Sequence, residues 1–122
     1  MLILTTIGAR TGEPRETVVT FSRDGDRYVI GASKSGDPNN PAWFHNLVAH
    51  PEVVLEVEKE RFAARATVTS GAERDRLFEQ HARERSTFVD YQKKTTRVIP
   101  MIVLDRIGPP STPAAGSAAD PT

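Results

Sequence analysis

Cysteine is absent from this 122-residue chain, and that absence removes disulfides, thiolate nucleophiles and cysteine-based structural zinc sites together. An excess of charge of either sign is missing too. The 16 basic side chains balance 16 acidic ones, so no overall field draws the chain to nucleic acid or to an anionic membrane. Any hold on an anion must be local. Long apolar runs are lacking, since no window approaches the roughly 18 residues of a membrane span. Met1-Leu2-Ile3-Leu4 gives way at once to Thr5 and Thr6, without the basic lead of a signal peptide. Together these point to a cytoplasmic chain with no nucleic-acid partner and no integral membrane association. His45, His50 and His81 are spaced by five and thirty-one residues, which matches no helical ligand pair, so no metal is expected. No strand-turn-helix G-x-S-x-G element is present to make a serine nucleophile.

What is there is a series of short apolar segments bounded by turns. Leu2 to Thr6 reads as a first strand and Arg15 to Ser22 as its return, with two glycines and a proline in Ile7 to Pro14 marking a structured turn. Arg23-Asp24-Gly25-Asp26 is a hairpin signal, because Asp-Gly takes the positive φ angles of a type I′ turn, and Arg27 to Ser33 pairs back across it. Lys34 to Pro41 reads as a loop, with Asn40 capping and Pro41 opening a helix to Ala49. Glu52 to Glu58 and Arg61 to Thr69 are strands around a turn at Lys59-Glu60, the second with Phe62, Ala64, Ala66 and Val68 on one face. Ser70 and Glu73 form a capping box for a helix to about Arg83, and a further helical stretch covers Thr87 to Lys93. Arg97 to Arg106 is the last strand, its Pro100 suited to a strand start, an edge or a bulge. The pattern predicts a mainly β domain over 1–107, a six-stranded antiparallel barrel with helical insertions packed outside. Gly108 to Thr122 holds only Gly, Pro, Ser, Thr, Ala and Asp and is expected to be a disordered tail.

Two segments invite chemistry. In Gly8 to Arg15, flexible backbone lies between Arg10 and Arg15, and guanidinium groups fork onto phosphates or carboxylates. The bland alternative is a hairpin turn with two solvated arginines. In Ala32-Ser33-Lys34-Ser35-Gly36 and Asn40 to Asn46, a lysine and two hydroxyls precede a helix N-terminus, whose free amides favour anions and ring carbonyls. Here the alternative is a capped helix whose Trp43 and Leu47, one turn apart, fill the core. Arg83-Glu84-Arg85 and Lys93-Lys94 read as solvated charge runs.

Taken together, Leu4 to Arg15, Asp24 to Ile30, Asn40 to Leu47, His50-Pro51-Glu52-Val53, Asp90-Tyr91-Gln92 and Arg97 to Pro100 resemble the deazaflavin-dependent nitroreductase and quinone reductase family, over about Leu2 to Ile107. The resemblance implies a split barrel of the FMN-binding, flavin-reductase kind. It also implies a reductase that passes a hydride from reduced coenzyme F420 to a quinone, enone or nitro compound. Arg10, Thr11, Arg15, Glu16, Thr17, Val18, Val19 and Thr20 would then line the cofactor's tail and ring. Gly31, Ala32, Ser33 and Lys34 would lie on its phosphate side, and Ala42, Trp43, Phe44, His45 and Asn46 at the ring edge. Phe88 and Tyr91 would face the acceptor, with Tyr91 catalytic. Ala9 stands where members often carry a basic residue, and Arg85 occupies a position where an aromatic is common. Two rivals share the fold: a flavin enzyme using FMN, and a non-catalytic carrier of the deazaflavin or of FMN. The expected partner is a small-molecule acceptor, and a homodimer is compatible with the fold.

Overall fold

Period-two alternation builds the sheet. The computed structural model describes residues 1–108, in which seven strands and three helices succeed one another. They are β1 (Leu2–Ile7), β2 (Pro14–Val19), β3 (Ser22–Asp24), β4 (Arg27–Gly31), α1 (Ala42–Ala49), β5 (Glu52–Val57), β6 (Glu60–Val68), α2 (Gly71–Glu84), α3 (Thr87–Lys94) and β7 (Met101–Gly108), with a 3-10 turn at Lys34–Gly36. Every pairing is antiparallel and the strand order is β2-β1-β5-β6-β7-β4-β3. The expected tail lies outside the described residues from position 109 onward.

The strand expected from Arg15 to Ser22 is two strands, so the sheet has seven rather than six. β2 and β3 stand at opposite ends of the order, yet only Thr20 and Phe21 join them. A link that short spans about 10 Å at most. The sheet therefore curls until its two edges come together, and Thr20-Phe21 is where the chain steps across.

The curl creates an interior. Leu2 and Leu4 of β1, Tyr28 and Ile30 of β4, Val53, Leu55 and Val57 of β5, Phe62, Ala64 and Ala66 of β6, and Ile102 and Leu104 of β7 meet there at alternate positions. Leu47 of α1 joins them, and Trp43 and Phe44 pack against the cluster. A second cluster lies on the opposite face of β4 and β7, where Val29, Met101 and Val103 meet Leu77 and Phe78 of α2. These two strands are therefore apolar on both faces, which explains the unbroken runs Tyr28-Val29-Ile30 and Met101 to Leu104. Val68, expected inside with Phe62, Ala64 and Ala66, is 42% exposed at the end of β6.

Other local expectations shift for identifiable reasons. At the β3–β4 hairpin positive φ occurs at Gly25 (64°) and not at Asp26, the type II′ pattern rather than I′. The two consecutive positive φ angles of a type I′ turn fall instead at Glu58 (52°) and Lys59 (70°), one residue before the expected Lys59-Glu60. α2 starts after Ser70, but no side-chain cap bond forms there; Glu73 is drawn 3.7 Å from Arg27 instead. Asn40 does not cap α1, whose N-cap is Pro41; its Oδ1 accepts from Arg97 Nη1 at 2.8 Å. β7 begins at Met101, after Pro100; before it the backbone bonds Gln92 of α3 instead, Arg97 O accepting from Nε2 at 2.8 Å and Ile99 N–H donating to Oε1 at 3.0 Å.

His81 is fully buried in α2, its Nδ1 sharing a 2.8 Å hydrogen bond with the Ser22 hydroxyl and its ring set edge-on to Phe88 at 4.4 Å. Burial, reinforced by repulsion from Arg85, depresses its pKa to about 4. A depressed imidazole stabilises the fold fully above its unfolded value of about 6.5, and that contribution is lost as pH falls from there toward 4. The full span corresponds to about 3 kcal/mol. Urea unfolding between pH 7.5 and 4.5 should show stability falling with pH in the wild type and a flatter profile in His81→Phe. Equal slopes would mean that His81 does not set acid sensitivity.

Candidate functional site

The loop between β1 and β2 is pinned rather than loose. Gly8 N–H donates to Glu13 O at 2.8 Å and Gly12 N–H to Gly8 O at 2.9 Å, while Thr11 Oγ1 accepts from Glu13 N–H at 3.2 Å. Asn46 of α1, itself buried, then locks the loop to the helix. Its Oδ1 accepts from Ala9 N–H at 3.0 Å and its Nδ2 donates to Thr6 Oγ1 at 3.1 Å. Arg10, Thr11 and Arg15 stay exposed.

Two adjoining cavities open along β2. The first, about 670 Å³, is lined by Gly8 to Thr11 and by Arg15, Glu16, Thr17, Ala42, Trp43, His45 and Asn46. The second, about 430 Å³, is lined by Thr17 to Thr20 and by Met1, Gly31, Ser33, Lys34, Pro41, Trp43, Arg85, Thr87, Phe88 and Tyr91. They share Thr17 and Trp43, and together they form one groove with β2 as its floor. β2 is an edge strand paired only with β1, so one row of its backbone N–H and C=O groups is left out of the ladder.

The structure brings together most of the residues singled out from the sequence. Ala32 and Phe44 are the exceptions: Ala32 is fully buried in the interior core, and Phe44 packs against that core and lines neither cavity. Trp43 both packs on the core and separates the two cavities. Met1, Gly8, Ala9, Pro41, Arg85 and Thr87 line the groove without having been assigned to it. Arg85 is not the solvated end of a charge run: its Nη2 donates to Phe21 O at 3.2 Å and its Nε is buried without a hydrogen-bond partner. Its signal was available in the sequence, as a cation where the family favours an aromatic.

In the second cavity Phe88 is buried between Tyr91, 5.5 Å away ring to ring, and His81. Phe88 lies so close over Gly31 that a β-carbon there would stand 2.5 Å from its ring. Gly36 makes a similar approach to α3. Its φ is +83°, and a β-carbon would lie 2.8 Å from the Tyr91 carbonyl oxygen. Small residues thus allow the 3-10 turn beside Lys34 to seat directly on the helix that carries Tyr91. The lining carries Arg10, Arg15, Lys34 and Arg85 against one carboxylate, Glu16, a local cationic groove in a chain of zero net charge. Among the described residues no group of three or more His, Asp or Glu is placed to hold a metal.

A curled antiparallel sheet with a cationic groove along a free strand edge is an arrangement suited to an anionic ligand. A profile of the F420H(2)-dependent quinone reductase family matches residues 1–106. An F420H(2)-dependent quinone reductase of Mycobacterium tuberculosis is 43% identical over 108 residues, covering 86% of this chain and 72% of that protein. A solved F420-H2 dependent reductase is 28% identical with a TM-score of 0.79, over 85% of this chain and 92% of that one. A further chain, solved as a domain-swapped dimer, also gives 28% identity and a TM-score of 0.79, covering 85% and 78%. The chain belongs to the F420H(2)-dependent quinone reductase family, whose members are oxidoreductases dependent on coenzyme F420.

Asn46→Ala would strand Ala9 N–H and Thr6 Oγ1 and release the loop, costing about 1–3 kcal/mol of stability. Chemical denaturation measures this, and a loss below a few tenths would show that the two bonds do not hold the loop.

Proposed function

We propose that the groove along β2 holds coenzyme F420 and that the chain uses the reduced cofactor to reduce a quinone, on a sheet of the split-barrel type. The observation that carries this reading is the excess of cations along a groove floored by an unpaired strand edge. Arg10 and Arg15 would hold the anionic tail, while Ser33 and Lys34 would take the phosphate side. The free backbone row of Glu16 to Val19 can pair with the ring's carbonyl and N–H groups, as an added strand would. Ala42, Trp43, His45 and Asn46 would border the ring, and Ala32 and Phe44 would support it from within the core. When bound, the reduced deazaflavin supplies the hydride.

The chain's own part is position, charge and a proton. Trp43 and Phe88 line the groove and would shield a bound ring from water. Negative charge builds on an acceptor oxygen as it is reduced, and the Tyr91 hydroxyl can donate to that oxygen. Arg85, on the same cavity, would favour the developing charge. The solved domain-swapped dimer supports self-association here, which sedimentation measures.

Titration with F420 and FMN, followed by turnover with menadione, tests the assignment. Tight F420 binding with turnover supports it; preference for FMN points to a flavin enzyme, and binding without turnover to a carrier. Arg15→Ala or Lys34→Ala should each weaken F420 binding about ten- to a hundredfold through loss of one charge-assisted bond. A change under threefold in both would place the anion site elsewhere. Tyr91→Phe should lower kcat about ten- to a hundredfold with cofactor affinity held within a few-fold, the mark of an interaction made in the transition state. An unchanged kcat would leave Tyr91 as a wall.

A further inference from the structure

Arg97 has no place in either cavity, yet its side chain is spent almost wholly on the segment that borders one of them. Its Nε donates to Asp37 O at 2.9 Å, Nη1 to Ala32 O at 3.0 Å and to Asn40 Oδ1 at 2.8 Å, and Nη2 to Ser33 O at 2.6 Å. Four acceptors within residues 32–40 thus converge on one planar cation. The segment's other ties are a single 3-10 turn, the Asn39 N–H donated to Asp37 Oδ1 at 2.8 Å, the Ala32 N–H donated to Pro100 O at 2.9 Å and the seat of Gly36 on α3, while Lys34 holds a φ of 45° that a side chain seldom adopts.

The other end of Arg97 is equally fixed. Its carbonyl accepts from Gln92 Nε2 at 2.8 Å, and its N–H donates to Thr95 Oγ1 at 3.2 Å. Gln92 belongs to α3, one residue from Tyr91. Half-buried as it is, the guanidinium has its pKa pulled down by desolvation and pushed back by the Asp37 carboxylate.

We infer that Arg97 is a positioning residue: it sets the conformation of residues 32–40 so that Ser33 and Lys34 are ordered before cofactor arrives, and it ties that segment to the helix bearing Tyr91. The inference rests on the proposed reading of the groove for its ligand, but not for its local effect. Lysine cannot reproduce the function, because an ammonium is a point donor whereas the guanidinium presents a rigid fork to several carbonyls at once. Without the fork, cofactor binding must itself order the segment, which weakens affinity by about tenfold.

The first readout needs no cofactor. In Arg97→Lys and Arg97→Ala the Gly36 and Asp37 amides, which donate to Ser33 O and Lys34 O, should exchange hydrogen at least several-fold faster than in the wild type. The second is fluorescence titration of F420, where Arg97→Ala should lose about tenfold in affinity and Arg97→Lys nearly as much. Arg76→Gln is the control, since Arg76 ties α2 to Asp24 of β3 without touching residues 32–40, Gln92 or either cavity. It should lower the melting temperature while affinity stays within twofold. If the Arg97 variants do not fold, Asn40→Ala removes one arm of the fan and should raise exchange at the same amides. Unchanged exchange in folded variants overturns the inference, as does an equal affinity loss in Arg76→Gln. Failure of the wild type to bind F420 overturns the reading of the groove instead, and the exchange result still judges Arg97.

Discussion

Two residues between β2 and β3 impose the shape of this protein. Thr20 and Phe21 join strands at opposite ends of a seven-stranded order, and a connection of that length cannot cross an open sheet of this width. Closure by the chain itself, rather than by a further ladder, folds alternate residues of β1, β4, β5, β6 and β7 into one interior. It also leaves β2 as an edge. The groove floor and the fold's curvature therefore have a single origin, and burial of about a dozen apolar side chains at roughly 1.5–3 kcal/mol each stabilises the curled form.

The site is assembled around that edge by three separate devices. Asn46 fixes the arginine-bearing loop to α1 with two hydrogen bonds. The close approaches at Gly31 and Gly36 let Phe88 and α3 lie against the strand and turn beneath them. Ser22, His81 and Phe88 form a buried stack behind the second cavity, kept neutral because burial disfavours a charged imidazole. Local charge completes the arrangement. Four cations face one carboxylate along the lining, although the chain as a whole is neutral. A groove of this kind attracts an anionic cofactor at short range without the nonspecific nucleic-acid binding of a basic protein.

Short-range chemistry was legible in the linear chain. Alternating apolar residues gave β1, β4, β5 and β6 within a residue or two, though the last strand starts at Met101 rather than Arg97; Asp-Gly and Pro-rich segments gave the turns, and α1 and α3 fell almost where periodicity put them. The absence of cysteine and the balance of charge excluded whole classes of function before any fold was known. The order of motifs from Leu4 to Pro100 carried the family, and with it most of the groove lining. What failed were inferences needing knowledge of a distant partner. Asn40 and Ser70 look like caps, but Arg97 claims the first, and Glu73 in the second box is drawn toward Arg27. Arg85 looks like a solvated charge until Phe21 is folded beside it.

The sequence by itself determined which segments are strands, which turn, and which cations are available, because these depend on neighbours within a few residues. Only the tertiary structure decided that Arg15 to Ser22 breaks between two edges, that Ala32 and Phe44 face the core rather than the groove, and that Arg97 grips residues 32–40 from 57 to 65 positions away. Those outcomes follow from the curl of the sheet. Which face of a strand is inside, and which buried carbonyl a distant guanidinium reaches, are fixed by how the whole surface closes on itself, and no local pattern records that closure.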